Sequence, residues 1–480
     1  MHSIFKEIHP PTVVDHAVRC YFFDSREVNL VTAGGQRLNV YRLCDADMVV
    51  SDGDQSSKIV DSVGKRRLEL LASFTLFGNI INMQVVRLGS NVRDSLLLAF
   101  KHAKLSIVEF DPLSHDLKTD SMHYFENDEF KGGLSHNIYL PLVRVDPEQR
   151  CACMLIYNRH LVVLPFKHDI KLDESEELSD GEHIKSVLPS YMIDLHSLEQ
   201  PLLNITELQF LHGYHQPTLM FLFEPVQTST GRVAVRQDTF CVSAISLNMT
   251  EKVHPVIWSV TNLPFDCHML RPIEKPIGGV LVFASNSLIY LNQSIPPYGV
   301  SLNSITEGST MFPLKIQEDV VITLAESSCD AIATDQFILS LKGGEIYVLS
   351  LLSDGLRTVR SFHFEKAAGS VLASCVCWIE HGFVFLGSRL GNSLLLRYTE
   401  KDSASIDEDL LLYGEYEEPT LSVITTYTFN VCDSLLNIGP ITKAALGEPA
   451  FLSRSIRPQV VTTFELPGCV NMWTVCGKSS

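Results

Sequence analysis

The feature that most constrains the fold is a β-hairpin that recurs along nearly the whole chain. Two short apolar runs joined by a few turn residues occur at residues 29–33 and 38–43, 96–100 and 105–110, 153–157 and 161–166, and 219–223 and 241–247. The pattern returns at 280–284 and 288–291, 337–341 and 346–351, and 383–386 and 394–398. The runs are rich in Val, Ile, Leu, Phe and Tyr and are too short for helices. Several joints carry glycine, such as Gly34-Gly35 and Gly343-Gly344, where tight hairpins demand positive φ.

The hairpins begin roughly 45–70 residues apart, the length of one propeller blade with variable loops. A further β-like run precedes several of them, at residues 70–76, 80–86, 142–145 and 208–211. About four strands per repeat are therefore expected, as in a blade. The inner runs are continuously apolar rather than alternating, which suits strands covered on both faces. Trp258, Trp378 and Trp473 do not recur once per repeat, and no Trp-Asp dipeptide occurs, so the repeat is not of the WD40 kind. The expectation is an all-β chain: a seven-bladed, non-WD40 β-propeller over residues 1–430, followed at 431–480 by the truncated start of a second propeller.

Charge and cysteine usage narrow the function. The chain carries 38 basic against 56 acidic residues, a formal charge of −18. A surface that grips nucleic acid by its phosphates needs the opposite balance. Twelve cysteines in 480 residues, with no CxxC pair, are too sparse for a disulfide scaffold and point to a reducing compartment. The opening MHSIFKEIHPP is charged and proline-containing and does not read as a signal peptide. No apolar run is long enough to cross a bilayer as a helix. The sequons at Asn204, Asn248 and Asn292 therefore read as chance matches.

Chemical motifs are few. Gly477-Lys478-Ser479 resembles the end of a P-loop, but Met472 stands where the first glycine belongs. Cys151 with Cys153 and Cys375 with Cys377 share strand faces at i, i+2, and His212 and His215 flank a Gly-Tyr turn; a structural zinc needs four such ligands, and no second pair has recognisable spacing. Lys65-Arg66-Arg67 forms a small basic cluster ahead of a strand, read as a solvated loop. Residues 45–57, 173–182 and 400–408 read as polar loops. No catalytic, cofactor-binding or metal-binding residue is assigned, no cofactor is expected, and no interface residue can be named. The expected class is a scaffold and not an enzyme. A propeller enzyme would build its site from loops at one channel mouth without a linear motif.

The strand strings carry a resemblance. ELQFLHGYHQPTLMFLFEP (207–225), RVAVRQDTF (232–240), KVHPVIWS (252–259), SLKGGEIYVLSLLSDG (340–355), FLGSRLGNSLLLRYTEK (385–401) and SIRPQVVTTFELPGC (455–469) together resemble the N-terminal portion of the large subunit (subunit 1) of the cleavage and polyadenylation specificity factor. They more distantly resemble the damaged-DNA-binding protein large subunit and a propeller subunit of splicing factor 3b. Matching strings run from His9 to Trp473.

The resemblance implies three seven-bladed propellers and a C-terminal helical region in a chain about three times this length. It implies a nuclear scaffold that holds a WD-repeat subunit and a CCCH zinc-finger subunit. Those two read the AAUAAA signal of pre-mRNA, with poly(A) polymerase and nuclease modules engaged indirectly. RNA contact would run through the partners, and no membrane is involved. The alternative within the family is a ubiquitin-ligase adaptor or a splicing-factor scaffold. The resemblance also implies a β-hairpin between residues 447–453 and 455 that is missing here, so the segment after the propeller is expected to be an incomplete blade.

Overall fold

The computed structural model describes residues 10–45, 66–89, 92–131, 139–167, 187–227, 237–353, 358–369, 371–404 and 423–439. Residues 11–440 form one compact unit, and the description below is of that unit. Residues 441–480, including Gly477-Lys478-Ser479, lie outside the described residues.

The unit is a seven-bladed β-propeller built from antiparallel meanders. The first blade comprises β1 (His16–Cys20), β2 (Asn29–Gly34), β3 (Arg37–Asp45) and β4 (Arg66–Thr75). The second comprises β5 (Ile80–Val86), β6 (Ser95–Phe100), β7 (Lys104–Asp111) and β8 (Asp116–Tyr124). The third comprises β9 (Leu142–Val145), β10 (Cys151–Ile156), β11 (His160–Pro165) and β12 (Tyr191–Asp194). The fourth comprises β13 (Ile205–Phe210), β14 (Thr218–Phe223), β15 (Phe240–Ser246) and β16 (Val256–Leu263). The fifth comprises β17 (Cys267–Pro272), β18 (Val280–Ala284), β19 (Ser287–Asn292), β20 (Ile295–Ser301) and the short parallel addition β21 (Lys315–Ile316). The sixth comprises β22 (Ser328–Ala333), β23 (Gln336–Ser340), β24 (Glu345–Ser353) and β25 (Val359–Gly369). The seventh comprises β26 (Ala373–Glu380), β27 (Phe383–Ser388), β28 (Ser393–Ala404) and β29 (Val423–Leu435). Each hairpin read from the sequence is the second and third strand of one blade.

The period-2 alternation of a strand explains why those hairpins are apolar throughout. In β6, Leu96 and Leu98 enter the core shared with the first blade, while Leu97 and Ala99 enter the core shared with the third. In β10, Cys151, Cys153 and Leu155 face the fourth blade, and Ala152, Met154 and Ile156 face the second. In β14, Leu219, Phe221 and Phe223 face the third blade, and Met220 and Leu222 the fifth. A strand between two neighbouring blades has no polar face to offer. Outer strands do. In β8, most side chains of DLKTDSMHY meet solvent.

Among the described residues, no strand is exchanged to close the ring. The seventh blade is made wholly of late residues and the first wholly of early ones. A side-chain core of Val14, Leu30, Leu68, Phe383, Phe385 and Leu395 fills the seam. The Val14 amide donates to the Ser388 carbonyl at 3.2 Å, and the Leu68 amide to Asp433 Oδ2 at 2.7 Å. Arg66 pairs with Glu380 and Arg389 with Asp15. Gly34 is required here: a Cβ at this position would lie 1.8 Å from the Val13 carbonyl oxygen.

Three sequence readings are corrected by the strands. Residues 400–404 are not loop. They belong to β28 and pair with β29 as far as Ala404 opposite Val423. The cross-strand backbone bonds hold them in the polar end of this third strand, which has no need of an apolar run. Arg66 and Arg67 likewise lie in β4, paired opposite Asp45 and Cys44. β29 continues to Leu435, so residues 431–435 lie in the seventh blade and not in the segment after it.

Candidate functional site

The meander sorts every connection onto one of two faces. First-to-second and third-to-fourth strand turns emerge at one end of the blades. Second-to-third turns and blade-to-blade crossovers emerge at the other. Contacts between blades respect the division. On the turn face, the Asp94 amide donates to the Tyr21 carbonyl at 2.9 Å, and the Arg87 amide to Gln149 Oε1 at 3.2 Å. On the crossover face, the Ile80 amide at the start of the second blade donates to the Gly35 carbonyl of the first at 2.9 Å.

The turn face holds a cleft of about 360 Å³ where the first turns of the third, fourth and fifth blades meet. Its walls include Glu148, Arg150, His212, Gly213, Glu274 and Lys275. Arg150 organises it. Its Nε and one Nη donate to the carboxylate of Asp146 at 2.7 and 2.9 Å. The other Nη donates to the His215 carbonyl at 2.7 Å, which fastens the third blade to the fourth. Asp146 is 0% exposed, so the fork supplies the hydrogen bonds that solvent cannot. Burial lowers the pKa of His212, against the pull of Glu274, Asp146 and Glu148. A neutral imidazole is favoured there. No linear signal marks this cleft, because its residues come from three turns about sixty residues apart, each an ordinary polar turn.

The innermost strands carry a second set of polar contacts along the channel. β1 neighbours β5 and β26, and β9 neighbours β5 and β13. Arg144 of β9 donates to Glu207 Oε1 of β13 at 2.7 Å. Asp330 of β22 accepts the Trp378 amide of β26 at 2.7 Å. The Arg19 guanidinium of β1 lies 4.8 Å over the Trp378 ring. Burial raises the Asp330 pKa, with the Trp378 amide and Arg271 opposing. These groups tie one blade to the next.

The residues singled out from the sequence are dispersed. Cys151 and Cys153 sit in the core between the third and fourth blades, and burial pushes the Cys153 thiol far up. Cys375 and Cys377 lie at the seam with Val14 and Phe385. His212 lines the cleft, and His215 offers its carbonyl to Arg150. Among the described residues, no three His, Cys, Asp or Glu side chains come together as metal ligands. The side-chain amides of Asn204, Asn248 and Asn292 donate to the Glu224 carbonyl, Glu251 and Tyr290 respectively. Arg66 is engaged at the seam, and Lys65 lies outside the described residues, as do residues 46–57 and 173–182.

The family model described as the RSE1/DDB1/CPSF1 first beta-propeller matches residues 13–428. The chain belongs to this family. Subunit 1 of the cleavage and polyadenylation specificity factor from Drosophila melanogaster is 40% identical over 99% of this chain and 39% of its own length. The subunit of that name from Arabidopsis thaliana is 32% identical over 88% of this chain and 34% of its own. Protein cft1 of Schizosaccharomyces pombe is 26% identical over 99% and 39%. The chain thus spans well under half the length of these curated relatives. The alignment to the Drosophila protein runs over 571 positions, more than the 480 residues present, so that relative carries residues this chain lacks within the matched span.

This RSE1/DDB1/CPSF1 first propeller has an uneven distribution of exposed apolar side chains. Phe77, Leu140, Val226, Ile305, Met311, Ile316, Val321, Leu390, Leu436 and Ile438 are exposed on second-to-third turns, on crossovers or just after the last strand, against Val92, Leu113, Leu188 and Val253 in turns of the other face. The crossover face is the more apolar, and the turn face holds the charged cleft.

Proposed function

We propose that this propeller is a docking platform in the machinery that cleaves and polyadenylates pre-mRNA, a scaffold in the nucleus and not a catalyst. The observation that carries the reading is the match, over 99% of the chain, to a protein named as a subunit of the cleavage and polyadenylation specificity factor. The physical features agree with it. A formal charge of −18 disfavours a direct phosphate grip, and exposed apolar side chains concentrated on one face favour protein contact. In this reading the partners are the WD-repeat and CCCH zinc-finger subunits that recognise the AAUAAA signal. The poly(A) polymerase and the nuclease are reached through them.

The test is co-purification of the 480-residue chain with the WD-repeat and zinc-finger subunits, beside a full-length large subunit as control. Retention of either subunit supports the platform. Retention of neither, while the control retains both, removes the first propeller as a sufficient platform. Recovery of a cullin in their place would move the chain to the ubiquitin-ligase adaptor role.

A further inference from the structure

The segment from the end of β20 to the start of the sixth blade, residues 302–327, carries β21 within it, and it is firmly anchored. Leu302, Val320, Ile322 and Leu324 enter the core between the two blades. Phe312 and Leu314 pack on the core between the fourth and fifth. The Gln317 amide donates to the Ser301 carbonyl at 3.0 Å, Ile322 to Leu302 at 3.1 Å and Leu324 to Ser285 at 2.8 Å. Asn303 Nδ2 donates to the Ile322 carbonyl at 2.9 Å, and the Met311 amide to Asp238 Oδ2 at 2.8 Å.

Held this way, the segment leaves four large apolar side chains outward. Ile305 is 66% exposed, Met311 84%, Ile316 79% and Val321 83%. Hydrogen bonds to residues 301–303 fix the backbone at or beside three of them. Gln317, next to Ile316, bonds to Ser301; Ile322, next to Val321, bonds to Leu302; and the Ile305 amide donates to Asn303 Oδ1 at 3.0 Å. Apolar side chains on a rigid support lose little conformational freedom when covered. Among them stand the exposed Glu307, Glu318 and Asp319, none of which has a cationic partner among the described residues. The segment's one exposed cation, Lys315, lies 5.0 Å over the Tyr298 ring.

We infer that this crossover is a docking surface for a partner polypeptide segment in which lysine or arginine alternates with bulky apolar residues. The exposed apolar groups supply the area, and the unpaired carboxylates select a cationic partner and repel phosphate. A second copy of this chain, itself strongly acidic, is disfavoured by the same charges. The inference rests on the docking-platform reading and gives it a place and a partner chemistry.

The test uses the full chain and a short fluorescent peptide of alternating lysine and leucine, with an alternating glutamate and leucine peptide and a single-stranded RNA as controls. Binding is read by anisotropy at two salt concentrations. The expected result is binding of the basic peptide that weakens with salt. It should fall at least about tenfold in the combined variant Glu318→Lys, Asp319→Lys and, independently, in Ile316→Ser, Val321→Ser. Asp116→Lys on the second blade should leave it unchanged. All substituted positions are exposed, and an unchanged unfolding midpoint verifies each variant. Equal binding by the surface variants, equal binding of the acidic peptide, preference for RNA, or self-association abolished by the same variants would each overturn the inference. Peptide binding that persists while the polyadenylation subunits fail to co-purify would retain the surface and reject only the assembly assigned above.

Discussion

The Leu68 amide of β4 donates to Asp433 Oδ2 of β29 at 2.7 Å, across a sequence separation of 365 residues. Leu68 is the outer-strand member of the seam core. The bond therefore joins the outer edge of the first blade to that of the last, in a ring that, among the described residues, no exchanged strand closes. Replacing Asp433 with Ala leaves a seam amide unsatisfied, at a cost of about 1–3 kcal/mol. The unfolding midpoint in urea should fall, and Asp433→Asn, which keeps an acceptor, should fall less. A midpoint equal to wild type in both variants would mean that the apolar core closes the seam unaided.

Arg150 gives the sharpest electrostatic contrast. Its partner Asp146 is fully buried, and the same guanidinium also reaches the His215 carbonyl at 2.7 Å. Removing one member of a buried pair costs about 3–5 kcal/mol, because the other charge is left uncompensated. Arg150→Ala is expected to destabilise by that order. Arg150→Lys should recover only part of it, since an ammonium cannot repeat the fork and the carbonyl contact together. The double variant Arg150→Met, Asp146→Leu should be more stable than Arg150→Ala. Chemical unfolding of the three variants orders them.

Asp330 sets a pH dependence whose sign follows from its burial. Its pKa is raised in the folded state above the ordinary value of 3.8. The folded state therefore holds this proton more tightly than the unfolded chain does. The contribution is fully present below pH about 3.8 and is lost as pH rises through the higher folded value. Asp330→Asn retains an acceptor for the Trp378 amide and does not ionise. The stability of wild type relative to this variant should thus decline as pH rises from the carboxylate range towards neutrality. A difference that stays flat over that range would show that Asp330 titrates as in the unfolded chain.

The strands legible in the sequence were those whose environment leaves a simple trace. β2, β6, β10, β14, β18 and β27 are buried along their whole length, so each reads as a largely apolar run. β8, β16 and most of β29 face solvent on one side and carry Lys, Thr, Ser and Asp. Their place in the sheet is set by backbone pairing, which composition does not record. The cleft was illegible for a related reason. Glu148, His212 and Lys275 become neighbours only when three blades are set side by side. The exposed Ile316 and Val321 look in sequence like any other core residues. Only the alternation fixed by Ile322 and Leu324 in the core turns Val321 outward.

Cysteine chemistry offers the simplest check on the blade assignments. Cys20, Cys151, Cys153, Cys241, Cys267, Cys329 and Cys377 are buried and unbridged, whereas Cys44 and Cys432 are partly accessible. Cys375 is also partly accessible, but burial of its thiol pushes its pKa up to about 12, as it does for Cys329. The thiolate is the nucleophile, so a raised pKa and a covered sulfur both slow alkylation. Brief treatment of the native protein with iodoacetamide at pH 8, read by peptide mass spectrometry, should modify Cys44 and Cys432 well before these eight. Cys44 sits near the end of β3 with its Sγ 3.6 Å from the Arg67 carbonyl, and Cys432 lies on the outermost strand of the seventh blade. Early labelling of Cys151 or Cys153 would place an opening between the third and fourth blades, where the structure has a continuous core.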